Sequence, residues 1–219
     1  MRAFRAETPG HSIDMSRVEL PMMFNLHHPL NLEAIGAEAQ HDNMQSAAYR
    51  VIWGFLRKCP ASKVRFCIFD PKEGGGSVRM LSNFVNKMPD SYKRAVTQMS
   101  RTEELLSCLK ELEGQTLDFI RDRPDYDDLL DYNAHNPRRT EAITLLMLYD
   151  FPLNADARCL ELLSSVMQKG NRCGIYVVLC RNTAVEVASS YDHIDEKLAE
   201  LEKNCVQIEC KENLSLIHI

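Results

Sequence analysis

Two acids at the ends of apolar runs are the residues best placed to do chemistry. Asp150 closes the run 143–149, ITLLMLY, and Phe151-Pro152 stops that run because proline cannot donate to a strand ladder. Asp70 closes the run 64–69, VRFCIF, and is followed by Pro71-Lys72 and the glycines 74–76. An acid at the carboxyl end of a buried strand stands where open α/β sheets bind ligands. Glycines after a strand let backbone N–H groups approach a phosphate, provided a lysine and a Ser or Thr hydroxyl follow at the start of a helix. Neither follows here: Gly-Lys-Ser/Thr occurs nowhere, and the first lysine of the chain is Lys58. Residues 74–76 therefore read as a flexible turn.

The other candidates are weaker. His27-His28 invites a metal reading, but adjacent histidines on a strand point to opposite faces, and no second ligand is near at a useful spacing. Asp125, Asp127, Asp128 and Asp131 lack calcium-loop spacing and read as a solvated helix face. Eight cysteines form no Cys-x-x-Cys pair, and several lie inside apolar runs, so they read as reduced, buried thiols. No metal site is expected.

The chain has 219 residues, enough for one domain or a domain and a half with a real core. With 45% apolar and 26% charged residues it reads as an ordinary globular protein. The net charge of −5 gives no broad attraction to nucleic acid or anionic lipid. No signal peptide or membrane span is visible, which sets the expectation of a cytoplasmic protein without membrane contact.

These residues need elements to hold them. Continuous apolar runs at 64–69, 143–149 and 175–180 predict strands buried on both faces, as in a parallel sheet. Between the last two, Asn154 or Asp156 can cap a helix with Leu160, Leu163, Val166 and Met167 on one stripe, ended by Gly170. That is a right-handed βαβ unit. Earlier, 30–36 predicts a weak strand, 37–43 a polar loop, and the spacing of Ala47, Val51, Ile52, Phe55 and Leu56 a helix up to Lys58. Residues 88–140 predict a helical, polar insert with a capping box at Ser100 and Glu103. A shorter acidic helix is expected over 126–133. The end predicts a helix around Ile194, Leu198 and Leu201 and an edge strand over 205–210. Residues 1–17 read as a leader or linker, 18–24 as one or two short strands, and 213–219 as a non-native tail like a translated sequencing adapter, which would make the chain a fragment.

Three passages carry a family resemblance: KVRFCIFDPKEGGG, LLMLYD and QKGNRCGIYVVLCRN. Together they resemble the strand after the P-loop helix, the Walker B strand and the following helix-to-strand passage of FtsK/SpoIIIE-type DNA translocase ATPases. The resemblance spans roughly residues 30–181, and Asp131-Tyr132-Asn133 matches the short helix that precedes Walker B. It implies a RecA-like P-loop NTPase fold, α/β, with a mostly parallel central sheet and helices on both faces over residues 18–212.

The departures from that pattern shape the expected function. Counted back without gaps from Asp70, the phosphate-binding lysine falls on Met44 and the magnesium hydroxyl on Gln45. Asp150 matches the Walker B aspartate, but Phe151 stands where active modules carry the water-activating glutamate. Asp70, Lys72 and Arg181 complete the vestiges of a nucleotide site. No catalytic residue is expected. Arg138, Arg139 and Arg172, with Arg181, are the expected DNA or interface contacts near the sheet's functional edge, and Lys72 or Arg181 is expected to offset Asp150. The resemblance thus implies a catalytically inactive module of a DNA translocase-type motor, holding no cofactor itself. Its partners would be an active ATP- and Mg-using module of the same polypeptide, copies of itself in a ring, and double-stranded DNA through the parent. The alternative is a degenerate substrate-binding or regulatory module of a type VII secretion ATPase.

Overall fold

In the computed structural model, residues 5–8, 11–14, 31–37, 39, 41–71, 85–185 and 194–210 are described. The expected strands at 18–24, His27-His28, Lys72, glycines 74–76 and the tail after 210 lie outside them. Strands β1 (Arg5–Thr8) and β2 (His11–Asp14) pair antiparallel within the stretch expected to be a leader.

The main sheet has six strands. Chain order gives β3 (Asn31–Gly36), β4 (Val64–Phe69), β5 (Val96–Met99), β6 (Ile143–Phe151), β7 (Ile175–Asn182) and β8 (Cys205–Glu209), in spatial order β5-β4-β6-β7-β3-β8. All five pairings are parallel. All nine residues of β6 are buried, which is why its sequence shows no polar alternation.

The helices follow from amphipathic spacing. α1 (His41–Lys58) covers one face, where its Tyr49 ring lies 6.4 Å from Tyr149 and Phe55 lies 6.2 Å from Tyr176. After the short turn α2 (Asp90–Lys93) come α3 (Thr102–Asp122), α4 (Leu129–His135), α5 (Ala157–Lys169) and α6 (Ile194–Glu202). α3, α5 and α6 cover the other face, with α3 and α6 each packing on α5. α5 buries Leu160, Leu163, Val166 and Met167 as its spacing predicts, each contributing about 1.5–3 kcal/mol. Its cap is Asp156, which accepts from the Cys159 N–H at 2.7 Å.

Four local expectations are corrected. The helical insert contains the strand β5, whose polar residues pair along β4 at the sheet's edge. Helix α1 begins at His41, so the loop after β3 is shorter than expected. The capping acid of α3 is Glu104, not Glu103: its carboxylate accepts from the N–H groups of Ser100 and Arg101 at 3.0 and 3.2 Å. The left-handed turn after α5 falls on Gly174 (φ 72), because a 3-10 turn over Gly170–Cys173 extends the helix first. A Cβ on Gly174 would sit 2.3 Å from a methyl of Leu129, so both backbone and packing require glycine there.

Candidate functional site

Strand order puts Asp70, Asp150 and Arg181 at the carboxyl edge of three neighbouring strands, as the sequence predicts. β6 and β7 run in register up to Leu148 opposite Leu179, and then pairing resumes one residue out, with Phe151 opposite Arg181. The irregularity is a bulge of one extra residue, and Asp150 inside it adopts φ 49, a conformation Asp tolerates better than most residues. The bulge turns Asp150 toward Asn182, whose amide donates to Asp150 Oδ1 at 3.1 Å. Both side chains are 1% exposed. The Asn182 carbonyl oxygen accepts from the Ala184 N–H at 3.0 Å, which fixes the amide with its NH₂ toward the acid.

Asp70 is also buried. Burial, then the charge of Asp70, pushes the Tyr49 hydroxyl above its usual range, and burial does the same first for Tyr149. Cys180 is pushed up by burial and then by the nearby Cys210, Asp150 and Asp70. The Tyr49 and Tyr149 rings lie 6.4 Å apart, and Tyr49, Tyr149 and Cys180 are near enough to the buried acids to feel their charge.

Met44 and Gln45 lie in the first turns of α1, each 1% exposed. Both pack under the helix, and the Met44 carbonyl accepts from the Cys180 thiol at 3.8 Å. Phe151 is 2% exposed. Lys72 falls outside the described residues.

Arg181 takes the opposite face of the sheet. It pairs with Glu33 at 3.5 Å and with Glu202 of α6, so the expectation that it offsets Asp150 is corrected. Alternation along β7 is the reason: Asn182 and Arg181 point to opposite faces, and Asn182 has the acid's side. Glu33 is itself buried, and Gln207 of β8 donates to its other oxygen at 3.0 Å. The sequence signal for Glu33 was a lone acid inside the apolar stretch of β3. For Asn182 it was an amide at the very end of a buried strand.

Arg138, Arg139 and Arg172 are not near this edge. They precede β6 and β7, and the nine residues of β6 put the two ends of that strand about 25 Å apart. Arg172 is tied to α4's lead-in, donating to the Asp127 and Tyr126 carbonyls at 3.0 and 2.9 Å. Arg138 and Arg139 are exposed at that far end. Among the described residues no group of three His, Cys, Asp or Glu could hold a metal. No described helix is long and apolar enough to cross a membrane.

No protein-family model matches the chain, and no curated protein matches it. Solved structures do. The pCW3 conjugation coupling protein TcpA, in its monomer form with ATPγS, superimposes with TM-score 0.59 at 12% identity, covering 94% of this chain and 52% of that one. The cytoplasmic domain of the type VII secretion ATPase EccC from Thermomonospora curvata gives TM-score 0.56 at 15% identity, over 83% of this chain and 20% of that one. EssC (ATPases 2 and 3) from Geobacillus thermodenitrificans gives 0.56 at 13%, over 82% and 32%. The chain thus spans about half or less of the length of each. Together, strand order, parallel pairing and these superpositions identify the architecture as the RecA-like P-loop ATPase fold.

Proposed function

We propose that the chain is a catalytically inactive ATPase module of an FtsK/SpoIIIE-like motor, serving the assembly or regulation of an active module. The observation that supports this most is Asp150: a carboxylate in the Walker B position is satisfied by the Asn182 amide inside a closed bulge. Three further residues agree. A phosphate cradle needs a cation and a hydroxyl where the helix starts, and Met44 and Gln45 stand there, turned into the core. Water activation needs a carboxylate beside Asp150, and Phe151 is buried apolar surface. Mg·ATP therefore does not fit the residues present, and in this reading it belongs to the active module of the parent. That module, copies in a ring and double-stranded DNA are the partners of this reading.

The likeness to EccC and EssC favours a second reading, a substrate-binding or regulatory module of a protein-exporting motor. The flanks of the full reading frame separate the two: membrane helices and forkhead-type domains favour export, DNA-processing regions favour translocation.

Calorimetry on the full chain tests inactivity directly. ATP with Mg²⁺ is expected to bind no tighter than about 1 mM, roughly −4 kcal/mol, with no hydrolysis. Micromolar binding, or a hydrolysis rate abolished by Asp150→Ala, overturns the proposal.

A further inference from the structure

At the amino ends of the strands, opposite Asp70 and Asp150, the fold collects cations. β5, β4 and β6 are neighbours, with Val96 beside Phe66 and Ile143 beside Val64, so the residues leading into them meet on one face. The last turn of α1 brings Arg57 and Lys58 there, the lead-in of β5 brings Arg94, and that of β6 brings Arg138 and Arg139. Hydrogen bonds stitch these segments together. The Tyr92 hydroxyl donates to the Leu56 and Cys59 carbonyls at 3.3 and 2.9 Å, and the Phe66 N–H to the Ala95 carbonyl at 2.8 Å. Lys63 Nζ donates to the Thr140 carbonyl at 3.2 Å.

The five cations are exposed, and none forms an ion pair among the described residues. The acids of these segments are already taken: Asp90 pairs with Lys93 at 3.0 Å, and Glu141 with Arg123. α1 itself carries no acid after Asp42. In a chain of net charge −5 this face is a local exception.

Trp53 lies one turn before Arg57 on the same stripe of α1 and is 53% exposed. Beside it Gly54 faces open space, with nothing within 4 Å of where a Cβ would stand. The other exposed large hydrophobics among the described residues, Leu117 and Val206, are on α3 and β8. The face thus sets one aromatic ring among cations, without the apolar core that a protein partner needs. Phosphates and a stacked base match that composition. A duplex keeps its base faces stacked on one another, so the indole reaches a base only in a single strand.

We infer that this face binds single-stranded nucleic acid, with phosphates on Arg57, Lys58, Arg94, Arg138 and Arg139 and a base stacked on Trp53. Strand spacing puts β5 and β6 about 10 Å apart, which the long side chains widen to the reach of about four nucleotides. Binding here needs neither ATP nor an active module, so it goes beyond the proposed function and stands or falls separately from it.

Trp53 is the sole tryptophan, so its fluorescence reports the site directly. The full chain is titrated with a twelve-nucleotide oligo-dT, a hairpin duplex and polyglutamate. Oligo-dT is expected to quench the indole, and its affinity to fall with a log–log salt slope of about −3, roughly sixtyfold from 50 to 200 mM. Replacing both arginines, Arg138→Ala with Arg139→Ala, should weaken binding and flatten the slope by about 1.4. With Trp53→Ala, read by anisotropy of a labelled oligo-dT, affinity should fall about tenfold while the slope stays the same. The inference is overturned if oligo-dT leaves the native fluorescence unchanged at 50 mM salt, or if Trp53→Ala binds like the native chain. It is also overturned if the hairpin duplex or polyglutamate binds as tightly as oligo-dT.

Discussion

Asn182 and Asp150 meet at 3.1 Å at the carboxyl ends of adjacent strands, each almost fully out of contact with solvent. The amide satisfies a buried carboxylate whose desolvation would otherwise be costly. Asn182→Leu is expected to destabilise the fold by about 1–3 kcal/mol in urea unfolding, since it removes a donor to a buried carboxylate. Asn182→Asp should cost more, because two carboxylates then face each other. Asp150→Asn keeps a polar partner and a residue type that tolerates positive φ, so its cost should be the smallest of the three. The reverse ranking would show that the contact is incidental.

Under the proposed reading, placing a phosphate-binding lysine at position 44 should not confer ATP binding. Met44 is enclosed under α1, so Met44→Lys buries a charge without a partner and is expected to cost several kcal/mol. Chemical denaturation reads the loss, and calorimetry should still show no ATP binding. A stable Met44→Lys protein that binds ATP would mean that the first turn of α1 can open to phosphate.

Arg181 holds Glu33 against the far face of the sheet, with Gln207 completing the site. Arg181→Leu leaves the Glu33 carboxylate buried and short of its cation. Because the guanidinium is a quarter exposed, the expected loss is about 2–3 kcal/mol, below the 3–5 of a fully buried pair. Adding Glu33→Gln should recover most of it. A double mutant no better than Arg181→Leu alone would assign the loss to packing.

Glu104 carries the clearest pH signature. The Arg101 guanidinium first, then the N–H groups of Ser100 and Arg101, lower its carboxyl from 4.5 to about 2. A folded-state value below the unfolded one gives stability that is complete above the unfolded value and fades as pH falls toward 2. Glu104→Gln is therefore expected to flatten the acid limb of a stability profile between those values. A profile with the same slope in both proteins would show that the cap is open in solution.

The strands that position the site were legible because β4, β6 and β7 are buried on both faces, and an unbroken apolar run is the direct imprint of that burial. β5 was not legible: VTQM is four residues at an edge with Met99 alone buried, so partner pairing rather than composition makes it a strand. Asp70 and Asp150 were found because burying a carboxylate at the end of such a run is costly, and the acid therefore marks a place where polar contacts converge. Glu33 and Asn31 escaped because their partners are remote in the chain. Asn31 is buried at the start of β3, donates to the Met167 carbonyl at 3.0 Å and accepts from the Val177 N–H at 3.1 Å. Arg138 and Arg139 misled for the opposite reason: they are close to Asp150 in sequence, but a strand carries its two flanks to opposite ends of a sheet.

The placement of β3 also sets an order of events in the making of the protein. Both of its partners, β7 and β8, come from the far end of the chain. Asn31 and Val177, which it must contact, are 146 positions apart, on the order of ten seconds of synthesis at typical ribosome speeds. Until then β3 and the apolar stripe of α1 emerge with no sheet to join. β4, β5 and β6 can assemble among themselves, so the nascent half-sheet waits for its first-made strand to be inserted near last. Long-range pairing of this kind slows folding and leaves an open edge meanwhile, which makes the newborn chain a natural client for chaperones.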